Sequence, residues 1–429
     1  MAEAKTGDVI HHEHTLDDEV NEKIQDDSVE AAKHDLNRMD LDKLSKDAFS
    51  VKSRAARRLA VVIMIQGLSV AAFAIDGSSI GGITALPAFR SHFNVGTSGA
   101  ALGIINAAMS IGNVVASPFQ WLSDLVGRRG VSFAGNVILI LSGIIMATAP
   151  NSSALIVGRV FSGVGASLSA TVGPLYMSEI APSASRGLAI GLYCASYSIG
   201  AIVIAVVLLG GSYMDNNWSW RLPMLFQIGA PLIVATLIYP CTPESPRYLY
   251  AVGKHDQARR IIARYHTTSE DINDPIVVAE MQQIGESMVR HETKPWDFSP
   301  LFKTANARRR VWVIFLYSFF QQCNGAGMLT YYLPGVLKLV GITKTQQVLG
   351  INLGITCVSY LATIGGSFIV DRVRRRTLLF TGWSVYIFFL ALMSLCGGLY
   401  ASNIGVKPNG YIVVIAIFAF NVCTGVFGE

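Results

Sequence analysis

The chain has 429 residues, of which 51% are hydrophobic and only 15% charged, and its mean hydropathy is +0.43. A soluble domain carries about a quarter charged residues, so this composition excludes an ordinary soluble globule. The formal charge of +5 does not point to a nucleic-acid partner, because the basic residues sit beside long uncharged runs, where they orient a chain in a bilayer.

Residues 1–57 form a polar, acid-rich tail that cannot bury enough apolar surface to fold alone. We expect it to be disordered and cytoplasmic. Its "HHEH" (11–14) belongs to that low-complexity stretch and is not read as a metal site. The polar start lacks the pattern of a cleavable signal peptide, which leaves the first apolar run as the targeting signal. Apolar runs follow at 59–82, 98–122, 131–149, 152–175, 187–209, 221–240, 311–336, 346–370, 377–399 and 410–428. Each approaches the roughly 20 residues needed to cross the hydrocarbon core. A multi-pass, all-α membrane protein is therefore expected, with the lipid bilayer as its solvent. Arginines gather in alternate loops (Arg128, Arg129, Arg186, Arg247, Arg308 to Arg310), which places the N-terminus and the long central loop in the cytoplasm. The six cysteines show no paired spacing and read as packing residues.

In the first run, "LAVVIMIQGLSVAAFAI" carries no charge until Asp76. A lone acid inside a span is expensive and is functional by default. After the second run, "SDLVGRR" supplies Asp124, Arg128 and Arg129. Alone it is compatible with an ordinary basic loop, but "DRVRRR", with Asp371 and Arg372, stands at the same place in the second half. Such an internal repeat is a mark of secondary transporters, whose substrate site lies between the halves.

The fourth run opens on "GRVFSGVGAS", with Arg159 and a series of small residues that let helices approach closely. Arg159 either faces a buried partner or snorkels to the interface. "PLYMSEIAPSASRG" leaves this run with Glu179 and Arg186, and "PESPRYL" leaves the sixth with Glu244 and Arg247. These are either solvated surface pairs or a latch between the halves that opens and closes with transport. In "FFQQCNGAGMLTYYLPG", Gln321, Gln322 and Tyr331 put amides and a phenol into the seventh run. They suit a polyhydroxylated ligand, or else they bond neighbouring helices. Gly325, Gly327 and Pro334 permit a locally broken helix there. No nucleophile–base set, phosphate loop or metal-ligand cluster stands out, so neither an enzyme nor a cofactor is expected.

In order, "AIDGSSIGG", "DLVGRR", "GRVFSGVG", "PLYMSEIAPSASRG", "WRLP", "PESPRYL", "QQCNGAG…TYYLP" and "DRVRRR" resemble the sugar porter family of the major facilitator superfamily. The wording is most similar to fungal lactose and disaccharide permeases. The resemblance implies the major facilitator fold and transport of a sugar or sugar-like solute across the plasma membrane by proton symport. It implies that Asp76 carries the proton with Arg159 as its partner. It also implies that Phe73, Gln321, Gln322 and Tyr331 contact the substrate. Cys194, Gly327 and Ser359 replace three amide side chains of the family, which fits a larger or less hydroxylated ligand. The expected organisation is a tail (1–57), a complete six-helix N-terminal bundle (58–240), a cytoplasmic central loop (241–310) and a C-terminal bundle of about four helices (311–429). "NVCTGVFGE" stops within what the resemblance implies is helix 10, so a truncated, non-transporting or sensing fragment is the alternative expectation.

Overall fold

The computed structural model describes residues 53–96, 99–290, 296–323, 326–339, 341–370, 373, 375–401 and 406–427. The expected tail up to residue 52, together with Asp371, Arg372 and Glu429, lies outside the described residues. The described chain is helical throughout. Six segments build the first bundle: α1 (Arg54–Ile83), α2 (Ala100–Ala116), α3 (Arg128–Ala147), α4 (Ser152–Ile180), α5 (Arg186–Gly211) and α6 (Trp218–Phe226, resuming as Gly229–Cys241). Side-chain oxygens start two of them: Ser53 accepts from the Ala56 amide at 3.1 Å and Asn151 from the Ala154 amide at 2.9 Å. Each such cap stabilises its helix by about 1 kcal/mol.

Three short helices follow, α7 (Pro246–Ala251), α8 (His255–His266) and α9 (Pro275–Arg290). The second set of long helices comprises α10 (Ala305–Gln322), α11 (Ala326–Leu339), α12 (Thr345–Val370), α13 (Arg375–Ala401) and α14 (Val406–Phe427). Among the described residues, eight helices are long and apolar enough to cross a membrane. Two of the ten expected runs fall short of that measure. The run at 311–336 is divided between α10 and α11 within the glycine-containing "QQCNGAG", and α14 has an apolar core of only Ile412–Val426.

Helix α4 packs against α1, α2 and α3, and its small residues are the reason it can. A Cβ on Gly163 would lie 2.9 Å from the Gly112 Cα of α2, and one on Gly165 would lie 2.7 Å from the Gly135 carbonyl of α3. Backbones meet directly at both crossings, as small-residue spacing allows in lipid. The main apolar core joins the two sets of helices: Ile80, Leu208 and Trp220 share it with Leu337, Leu349 and Ile417.

The central segment departs from expectation, since it is more than a loop. Leu249, Ile262, Ile276, Val277 and Ile284 form a separate core among α7, α8 and α9. Buried His266 ties this unit to the bundle: its Nε2 donates to the Ile180 carbonyl at the end of α4 (3.0 Å), and its Nδ1 lies 2.6 Å from Glu280 Oε2. Composition alone reads this stretch as polar because its apolar residues are spaced to cover a single face.

Candidate functional site

Two long helices bring the isolated charges together. Asp76 on α1 is 2% exposed and Arg159 on α4 is fully buried. Arg159 Nη1 donates to Asp76 Oδ1 at 3.2 Å and to the Asp76 backbone carbonyl at 3.4 Å. The second carboxylate oxygen accepts from Ser162 Oγ, one turn along α4. Arg159 therefore does not snorkel. Its Nε and Nη2 are buried without a hydrogen-bond partner among the described residues, so the pair is joined by a single guanidinium nitrogen. A buried pair of this kind costs desolvation at both ions, and one contact recovers only part of that cost. Protonating the acid removes one charge. The arrangement can thus hold or release a proton and change its own cohesion as it does so.

Two turns nearer the basic end, the same two helices and α3 carry a neutral polar layer. Ser69 of α1 and Ser169 of α4 share a hydrogen bond, and Asn136 Nδ2 of α3 donates to both (2.9 and 3.2 Å). This layer fixes how α1 and α4 register beside the ion pair.

A cavity of about 310 Å³ lies between α1 and α5 on one side and α11, α12 and α14 on the other. Its polar lining includes Ser78, Tyr197, Ser198, Asn352, Thr356 and Asn421, set among apolar residues such as Leu208 and Ile417. An apolar pocket with a few converging polar groups is the usual form of a small-molecule site. Phe73 is half-buried behind this wall, with its ring 5.9 Å from that of Tyr197 in an edge contact. Ser359 also lines the cavity. Gln321 is half-buried and Gln322 exposed at the end of α10, and neither reaches the lining. Tyr331 belongs to α11, and its side chain is outside those described. The lining amides Asn352 and Asn421 were missed because single polar residues in apolar runs read as packing. Their legible signal is the helical recurrence of Asn352, Thr356 and Ser359.

The remaining charged residues meet at the basic end of the first bundle. Arg128 forks onto Glu179, with Nε to Oε2 at 2.9 Å and Nη2 to Oε1 at 3.0 Å, while its Nη1 lies 2.8 Å from Asp124. Ser245 Oγ also donates to Glu179, at 2.5 Å. Glu244 Oε1 accepts from the backbone amides of Arg128 (3.0 Å), Arg129 (3.3 Å) and Ser245 (3.0 Å). A carboxylate from beyond α6 thus caps the positive end of α3. Gly127 has φ +93°, and a Cβ there would fall 2.6 Å from Glu244, so both conformation and space require glycine. Arg129 completes the knot with a bond to the Thr242 carbonyl at 2.9 Å and its guanidinium 4.8 Å from the Tyr239 ring. Exposed Arg186 and half-buried Arg247 border a small pocket beside Glu179. All these described partners belong to α2–α7 and their connections. Among the described residues these bonds form a knot inside the first half, and the Asp371 and Arg372 members of the expected latch lie outside those residues.

The chain shares its fold with a solved transporter structure. The partially occluded, inward-open structure of the xylose transporter XylE from E. coli superposes with a TM-score of 0.71 at 20% identity, covering 86% of this chain and 82% of that one. The chain belongs to the sugar (and other) transporter family, whose model matches residues 45–427. It is similar to the probable inositol transporter 2 of Arabidopsis thaliana, with 28% identity over 64% of this chain and 47% of the relative. It is also similar to the arabinose-proton symporter of E. coli K12 (29% identity, 76% of this chain, 66% of the relative). The myo-inositol transporter 2 of Schizosaccharomyces pombe is 25% identical over 84% of this chain and 65% of its own length. The chain thus spans about half to two thirds of the curated relatives it matches.

Proposed function

We propose that this protein moves a sugar or a sugar-like polyol across the plasma membrane, coupled to a proton carried by Asp76. The observation that carries the reading is the buried Asp76–Arg159 pair, joined through a single guanidinium nitrogen, beside an inter-bundle cavity lined by hydroxyls and amides. Relatives named as arabinose-proton and galactose-proton symporters support the coupling, and relatives named for inositol support a cyclic polyol as an alternative to a sugar. The tail and α7–α9 face the cytoplasm in this reading, since the arginines gather there. The division into a bundle at 58–240, a central segment at 241–310 and a second bundle at 311–429 is part of the same proposal. So is the likeness to disaccharide permeases.

The geometry supports the following cycle. With Asp76 ionised, Arg159 and Ser162 hold α1 against α4. A proton arriving from outside neutralises the acid and weakens its attraction to Arg159, which lets α1 shift relative to α4 once the cavity holds solute. Reorientation then moves no bare carboxylate through the low-dielectric interior. Uptake of a labelled panel of pentoses, hexoses, disaccharides and inositols in a transport-deficient host, with and without a protonophore, tests this. Protonophore-sensitive accumulation of one class is expected. Failure to move any of them at verified membrane abundance contradicts the proposal.

A further inference from the structure

We propose that Ser162 is a positioning residue for the proton at Asp76, holding the carboxyl group in both of its protonation states. This rests on the reading of Asp76 as proton carrier and adds the group that makes its switching orderly. The two donors divide the carboxylate between them: Arg159 takes Oδ1 and Ser162 takes Oδ2. They are not equivalent. A guanidinium can only donate, so it suits the carboxylate alone. A hydroxyl both donates and accepts. Ser162 therefore donates to the ionised acid and, by turning its O–H, accepts a hydrogen bond from the O–H of the neutral acid.

The placement supports this role. Ser162 is fully buried, and the Ser69–Ser169 bond seven residues along both helices pins the register of α1 against α4. The contrast with other helical serines is telling. Ser142, Ser178 and Ser196 each spend the hydroxyl on a carbonyl of their own helix, at 2.8, 2.7 and 3.0 Å, the usual local outlet for serine. Ser162 instead crosses to α1. The elements packed on α1 bring other ionisable groups: Arg186 and Tyr197 on α5, Arg221 on α6, His266 on α8 and Lys338 on α11. Among the described residues, the Asp76 carboxylate is hydrogen-bonded by Arg159 and Ser162 alone.

Infrared titration of the purified full chain in detergent reads the acid directly and does not depend on transport. The carboxylic C=O band that disappears in Asp76→Asn belongs to Asp76, and its frequency at low pH is compared in the wild type, Ser162→Ala and Ser162→Thr. Ser162→Ala removes the hydroxyl that accepts the acid's O–H, so the band is expected to move to higher frequency, with Arg159 as the remaining partner of the carboxyl group. Ser162→Thr, which keeps the hydroxyl, is expected to restore the wild-type frequency. A band unchanged in Ser162→Ala, or moved alike by Ala and Thr, overturns the role of Ser162. If no titrating band is lost in Asp76→Asn, the reading of Asp76 as proton carrier fails first, and the two failures are distinguishable.

Discussion

At Asp76 and at Glu179 the same two functional groups meet, a buried carboxylate and a guanidinium, yet they are bound very differently. Glu179 receives two nitrogens of Arg128 and the hydroxyl of Ser245, and Arg128 spends its remaining nitrogen on Ser123 and Asp124. Neighbouring Glu244 accepts from three backbone amides at a single oxygen. Asp76 receives one nitrogen and one hydroxyl, while two nitrogens of Arg159 stay without partners. Saturation makes the first site a clamp that holds the ends of α3, α4 and α6 together. Under-saturation suits the second one to the change of state proposed for it, because fewer bonds are lost when its charge is removed. Two turns of α4 beyond the ion pair, the serine layer shared with α1 lies between the site proposed to switch and the saturated end.

Arg128→Ala sharpens the contrast most. It strands the Glu179 carboxylate, whose side chain is 5% exposed, and removing one partner of a buried pair costs about 3–5 kcal/mol. A large fall in the thermal unfolding midpoint in detergent is expected; a midpoint close to the wild type's would show that the knot is no clamp. Next in size is Asn421→Ala, at the cavity. An unpaired polar group on a bound polyol costs about 1–3 kcal/mol, so solute affinity should weaken about 5- to 150-fold without loss of folding. Equal affinities would remove this wall of the cavity from recognition.

Gln322→Ala should have a smaller effect. Because Gln322 is exposed and outside the lining, affinity is expected to change by no more than about 2-fold, the range of ordinary surface substitutions. A loss as large as that from Asn421→Ala would restore the amide to the binding site the family resemblance implies. Glu270→Gln tests an exposed counterexample to both clusters. Its ion pair with Arg58, 2.8 Å long, joins side chains 29% and 40% exposed, so stability should fall by less than about 1 kcal/mol. A drop comparable to that of Arg128→Ala would refute the link drawn here between burial, saturation and strength.

Much of this was legible before any coordinates. Asp76 and Arg159 are conspicuous as charges in or at the edge of apolar runs, and the Gly-x-Gly of α4 announces close helix crossings. What stayed hidden depends on partners far apart in sequence. Glu244 caps a helix that begins 116 residues earlier, and no local pattern around either residue says so. Ser162 reads only as a small packing residue until α1 is placed beside it. The α7–α9 unit reads as a loop because its average composition is polar, although Ile276, Val277 and Ile284 line one face of α9. Gln321 and Gln322 stand out as adjacent amides, but adjacency in a helix sends side chains in different directions, and neither of these reaches the cavity.

Proton movement across a reconstituted membrane tests the central claim most directly. The purified chain is placed in liposomes with a pH-sensitive dye, and an inward gradient of the solute chosen by the uptake panel is imposed. Solute entry into wild-type vesicles should carry protons with it. Asp76→Asn, which presents a permanently neutral group to Arg159, should pass solute downhill with no accompanying proton. Solute-driven proton entry persisting in Asp76→Asn would contradict the account.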